Sequence, residues 1–242
     1  GSQSLVGLNT DQINNRLNIR GYNASLDGEG IVSSLTMLQH LLESNVQFDM
    51  VLLSLQAGFE GDTNDINVYK NSYRWYPYLF RDYVSNQFGI DKWIEKCAQT
   101  FLIFYKSNKT IVPSLIFTFI RPNYKWKYDN NGDYVYPKNK NSGMNIELID
   151  ITKKVDIDSH RIVKRIYQIC DTAGISVILH VAPLSDKNYH LVSRTQATII
   201  NQSSLFRESY YFYDHIHVNS MGRNAATDDF INKFESILNL PK

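Results

Sequence analysis

The residues best placed to do chemistry lie near the end of the chain, in Tyr213-Asp214-His215-Ile216-His217-Val218-Asn219-Ser220-Met221-Gly222-Arg223-Asn224. Asp214 precedes His217 by three residues, so both side chains fall on one short loop where a carboxylate can orient an imidazole. A Gly turn at Gly222 and an amphipathic helix are expected to follow. An imidazole so oriented works as a base only if a nucleophile comes within hydrogen-bond reach. In a parallel α/β domain that nucleophile would come from another loop at the C-terminal edge of the sheet. Two other readings stay open. His215-Ile216-His217 alternation also fits an ordinary exposed edge, and a His-x-His pair suits zinc, although no third ligand is evident from spacing.

Other polar candidates carry less. His180 sits in an apolar strand-like run and reads as a hydrogen-bonded core residue, and His40 comes late in a helical pattern, where a cationic side chain is favourable. Asp62, Asp65, Asp156 and Asp158 read as capping or solvated carboxylates rather than metal ligands. No metal is assigned.

The elements that must position Asp214 and His217 are legible as alternating patterns. Thr10-Asp11-Gln12 starts a short helix running to about Leu17, with Thr10 able to cap and Ile13 and Leu17 on one stripe. Ile19 to Asn23 reads as a short strand. A turn-rich break over 25–30 then leads into a helix whose face carries Ile31, Leu35, Leu38, Leu41 and Leu42. Phe48 to Leu55, Leu115 to Ile120 and Ile175 to Val181 are short apolar runs, and the first suits a strand buried on both faces of a parallel sheet. Helical patterns at Asp91 to Tyr105 and Ser159 to Cys170 separate these runs, and Arg223 to Leu240 closes the chain as a helix. Strands alternating with helices predict an α/β fold with a mostly parallel sheet.

Two stretches interrupt the alternation. Tyr69 to Tyr83 and Tyr124 to Tyr136 are dense in Tyr and Trp, and the second contains the turn former Asn130-Asn131-Gly132. They read as insertions, at about 60–90 and 122–147, in a single domain spanning 1–242. Aromatic rings with polar tips suit a saccharide-binding surface, with Trp75 and Trp126 as candidate contacts. They equally suit a lid packed on the core or, for the second stretch, a hairpin, and packing is the ordinary role of aromatics.

Composition narrows the function classes. With 242 residues, 43% hydrophobic and 13% aromatic, the chain can bury a sizeable core and lies far from disorder. Lys plus Arg number 25 against 24 Asp plus Glu, a net charge of +1, so no global electrostatic argument favours nucleic acid or an anionic membrane. No apolar run approaches the roughly 20 residues that span a bilayer, so no membrane segment is expected. Cys97 and Cys170 lie far apart, without the spacing of a disulfide scaffold or a cysteine-built zinc site. They leave the redox compartment open.

Taken in order along the chain, four segments resemble the SGNH/GDSL hydrolase superfamily, most of all the subgroup whose first block reads Gly-Ser-Ser-Arg. Asp214 and His217 match its final Asp-x-x-His. Ser2-Gln3-Ser4-Leu5-Val6-Gly7-Leu8-Asn9 is similar to the stretch that begins at the nucleophilic serine, which puts Ser2 in that role. Tyr22-Asn23-Ala24-Ser25-Leu26-Asp27-Gly28 resembles the second block, whose glycine lends a backbone N–H to the oxyanion hole, here Gly28. Leu53-Ser54-Leu55-Gln56 ends the strand where the superfamily usually carries Asn, and Gln56 departs from that pattern while keeping an amide donor. Residues 60–150 match poorly.

The resemblance implies a three-layer α/β/α sandwich, a Ser2-His217-Asp214 triad and an oxyanion hole of Ser2, Gly28 and Gln56. It implies no metal and no organic cofactor. The expected activity is hydrolysis or transfer of an acyl group, often acetyl, on a carbohydrate or surface polysaccharide, and an extracytoplasmic or cell-envelope setting accords with that work. The family's nucleophile follows a β-strand, so upstream residues in the parent protein, or another strand, are expected to fill that place. Gly1-Ser2 also has the form of a dipeptide left by expression, and Ser4 is the fallback nucleophile, although Gly7 then falls out of register. Two other classes remain in view: a noncatalytic SGNH-like module that holds a glycan on its aromatic insertions, and a small-molecule-binding α/β domain with no acyl chemistry.

Overall fold

The structure is a computed structural model that describes residues 2–25, 30–55, 129–134, 136, 151–194 and 197–238. The described residues belong to one compact unit drawn from residues 1–65 and 128–242. The expected strand Leu115 to Ile120, the helix Asp91 to Tyr105 and the first aromatic stretch lie outside them, as do residues 124–128 and 135 of the second aromatic stretch.

Helices α1 (Ser2–Gly7), α2 (Thr10–Leu17) and α3 (Ile31–Glu43) precede strand β1 (Met50–Leu55). After 151 come β2 (Thr152–Asp156), a 3-10 turn (Ile157–Ser159), α4 (Arg161–Thr172), β3 (Ser176–Val181), β4 (Asn188–Val192) and β5 (Thr198–Asn201). A second 3-10 turn (Ser209–Tyr211) and the long helix α5 (Ser220–Leu238) complete the order. Among the described residues, β1, β3 and β5 form one parallel sheet in that order, with Leu53 opposite Leu179 and Leu179 opposite Ile199. β2 and β4 pair separately, also parallel. This is an α/β fold.

The helices follow from the sequence periodicity. α4 presents Ile162, Val163, Ile166 and Cys170 as one buried stripe and packs on α3 and β3. Ile178 and Ile200 from the sheet meet Leu8, Ile13, Phe230, Ile231 and Phe234 in one apolar cluster, which joins α2 and α5 to the sheet. A second cluster of Phe206, Phe212, Val218 and Ala226 underlies the segment that carries Asp214 and His217.

Several local expectations are corrected. α2 is capped by Asn9, whose side chain accepts from the Gln12 N–H at 3.2 Å, while Thr10 is the first helical residue. Ile19 to Asn23 is not a strand, because its backbone groups are taken by other partners: Gly21 exchanges hydrogen bonds with the Asn14 side chain, and the Asn23 N–H donates to the Asn131 carbonyl. β1 is buried on one face only, with Leu53 and Leu55 buried and Met50 and Leu52 exposed. Gly222 forms no turn but lies in the first turn of α5, where a side chain would collide with the Tyr211 carbonyl. The turn at 129–132 is present: the Gly132 N–H donates to the Asp129 carbonyl and Gly132 has a φ of 81°, a left-handed conformation that suits glycine.

Candidate active site

Asp214 and His217 sit on a small loop closed by local chemistry. Phe212 and Val218 form an antiparallel bridge, and the Tyr213 N–H donates to the His217 carbonyl at 2.7 Å. Inside the loop, Asp214 Oδ1 accepts from the backbone N–H groups of Ile216 and His217, both at 2.9 Å, a turn in which an Asp side chain folds back on its own backbone. Both carboxylate oxygens lie 2.9 Å from His217 Nδ1. His217 is buried and Asp214 half-buried, so the pair is partly shielded from solvent.

The electrostatics follow from this contact set. Burial pushes the Asp214 carboxyl up, but the hydrogen bonds from the His217 ring and from the Ile216 and His217 N–H groups, with the attraction of His217, outweigh it and hold the acid below its ordinary range. An ionised Asp214 accepts a proton-bearing Nδ1, which makes Nε2 the basic nitrogen of the neutral ring. That is the tautomer a general base requires.

Three elements anchor the loop. Gln3, buried in α1, donates from Nε2 to the Ile216 carbonyl at 3.1 Å. Ser185, after β3, donates through its hydroxyl to the His215 carbonyl. Asn219 accepts from the Met221 and Gly222 N–H groups and donates to the Phe212 carbonyl, which caps α5 and holds the loop against it.

Of the residues expected to act, Asp214 and His217 are brought together. Ser2 is the first residue of α1, and its neighbour Gln3 makes the contact to Ile216, so the backbone brings the start of α1 to the loop. Gly28, Gln56, Trp75 and Trp126 lie outside the described residues, as do Asp62 and Asp65. Ser4 is buried, with no hydrogen-bond partner for its hydroxyl among the described residues, and its carbonyl accepts from Asn23. His215 is exposed.

The remaining candidates have structural places. His180 is fully buried, and its Nε2 lies 2.8 Å from Gln202 Oε1. The Gln202 amide is oriented by donating to the Ala226 carbonyl and to Asp229, so Nε2 of His180 carries the proton. Desolvation pulls the His180 pKa down to about 4, with Lys233 acting in the same direction, against the Gln202 hydrogen bond and the Asp229 carboxylate. Asp156 accepts from the Asp158 N–H at the start of the 3-10 turn, and Asp158 accepts from the Ser193 hydroxyl and the Arg194 N–H. Cys170 is a free, buried thiol whose pKa burial pushes up. Among the described residues no group of three or more His, Cys, Asp or Glu could hold a metal ion, and no helix is long and apolar enough to cross a membrane.

Sequence reasoning missed the part of the site supplied by residues 129–134 and Tyr136. Tyr136 stacks on Tyr213 with ring centres 4.2 Å apart and stands 5.3 Å from the His217 ring. Its signal was present only as aromatic density in the second Tyr-rich stretch. Comparison of the chain with protein-family models, with curated proteins and with solved structures finds no match in any of the three.

Proposed function

We propose that this chain is a serine-dependent acyl-ester hydrolase or O-acetyltransferase of SGNH type, acting on a carbohydrate or surface polysaccharide. The observation that carries the reading is the Asp214–His217 pair: a buried imidazole whose Nδ1 meets both oxygens of an acid held ionised, on a loop bonded to the helix that Ser2 begins.

In this mechanism Ser2 attacks the ester carbonyl, and His217 Nε2 takes its proton and then returns it to the leaving alkoxide. Asp214 keeps the imidazole in the working tautomer and balances the charge of the imidazolium. The backbone N–H groups of Ser2 and Gly28, with the Gln56 amide, would stabilise the oxyanion, roughly 2.7 to 4 kcal/mol per donor by analogy with a protease. The fold proposed with it is the three-layer α/β/α sandwich. Water resolves the acyl-enzyme in an esterase, and a sugar hydroxyl resolves it in a transferase. The carbohydrate assignment rests on the superfamily resemblance and on the aromatic stretches.

Fluorophosphonate labelling followed by peptide mapping tests the reading without knowledge of the substrate. The expected result is a label on Ser2 that disappears in His217→Ala. A label on Ser4 would move the nucleophile by two residues. Absence of label from every serine would reject acyl chemistry in favour of a glycan-binding module, which substitution of Trp75 or Trp126 would then disable.

A further inference from the structure

Residues 129–134 are tied to the elements around the Asp214–His217 pair above all through one buried carboxylate. Asp133 has a fully buried side chain and accepts from the Thr10 N–H and hydroxyl at 2.7 Å each, from Asn23 Nδ2 at 2.9 Å and from the Arg223 guanidinium at 2.6 Å. Arg223, in the first turns of α5, also donates from Nε to the Leu8 carbonyl just after α1, and Asn23 donates to the Ser4 carbonyl within α1. The Tyr134 N–H adds a bond to the Leu5 carbonyl. Asp133 therefore fixes the backbone at residues 133–134, two positions before Tyr136.

Tyr136 spends its ring on neighbours. It lies nearly parallel to Tyr213, with an interplanar angle of 12°, meets the edge of Tyr134 at 5.3 Å, and is tilted by 54° against His217. A ring used in this way is a wall, not an open platform for a sugar. Asp214 holds one edge of the imidazole, at Nδ1, and rotation about that contact is limited by what packs against the ring. An aromatic plane 5.3 Å away limits the rotation and keeps Nε2 on one line of approach.

We infer that Tyr136 is a positioning residue for His217, delivered by the Asp133 anchor; the inference rests on the reading of His217 as the general base. Tyr136→Phe keeps the ring and Tyr136→Leu removes it. The readouts are the fluorophosphonate labelling rate and the ring ¹⁵N resonances of His217, which report its tautomer and exchange whether or not any serine reacts. The expected result is labelling within about threefold of wild type for the Phe variant. The Leu variant should lose about 10- to 100-fold, with its His217 Nδ1–H signal broadened by exchange and its melting temperature little changed. A Leu variant that labels at the wild-type rate, or keeps the wild-type His217 resonances, overturns the inference. Should Tyr136→Leu fail to fold, Tyr213→Leu removes the other half of the stack and is read in the same way. If the wild type itself takes no label, the hydrolase reading fails, while the His217 resonances still decide the positioning contact.

Discussion

Replacing Asp214 by Asn changes almost no volume and inverts the hydrogen-bond logic of the loop. Two backbone N–H groups, of Ile216 and His217, converge on Oδ1 at 2.9 Å, so the amide oxygen of Asn takes that position. The NH₂ group then occupies the place of Oδ2, which lies 2.9 Å from His217 Nδ1. Nδ1 then meets a donor where Oδ2 stood and shares Oδ1 with two backbone N–H groups, and the imidazole relieves the donor–donor conflict by moving its proton to Nε2, the atom that accepts from serine in the proposed mechanism. Stability falls moderately, because the three hydrogen bonds from the Ile216 N–H, the His217 N–H and the His217 ring lose their charge assistance, at most about 1 kcal/mol each. Reactivity changes greatly: the same replacement in a serine protease triad costs about ten-thousand-fold, or about 5 kcal/mol of barrier. The assay is the second-order rate of fluorophosphonate labelling at neutral pH, paired with thermal melting and the His217 ¹⁵N spectrum. Labelling within tenfold of wild type, in a sample where His217→Ala is inert, would refute the role given to Asp214.

Two predictions concern stability. Because His180 is pulled to about 4 from an ordinary value near 6.5, the neutral form is the one the fold accepts. Its contribution is complete above pH 6.5 and is lost as the pH falls toward 4, a total of about 3 kcal/mol. Urea melts of wild type and His180→Leu across that window should show the variant less stable at neutral pH and flatter in its pH dependence; parallel curves would contradict the assignment. Asp133→Ala leaves the Arg223 guanidinium buried without its carboxylate and should cost about 3 to 5 kcal/mol in chemical denaturation. Asp133→Ala combined with Arg223→Met should recover part of that loss, and strictly additive losses would mean that the two side chains do not act as a pair.

What the sequence disclosed follows the range of the interactions involved. Helices α3, α4 and α5 and strands β1 and β3 were legible because their apolar residues recur at helical spacing or in short runs. β2 and β4 were not, because Thr152-Lys153-Lys154-Val155-Asp156 is polar and exposed and takes its strand conformation from pairing with residues 188–192. Ile19 to Asn23 has strand-like composition, yet side chains and a distant turn satisfy its backbone groups. Asp214 and His217 were visible because three residues of separation hold them on one loop. Asp133 carried no local mark, since its partners Thr10 and Arg223 stand 123 and 90 positions away.

The contacts that frame the Asp214–His217 loop also bear on when it can form. Gln3 to Ile216, Leu8 to Arg223 and Asn9 to Thr227 are separated by 213, 215 and 218 positions. Loops of that length close late, after local helices and strand pairs have offset part of the entropy of closure. Substitutions at these contacts should therefore raise the unfolding rate while leaving the folding rate nearly unchanged. On a ribosome, residues 3–9 must wait for residues 216–227 to emerge before the loop is framed, so its geometry arises only after the two ends of this span have met.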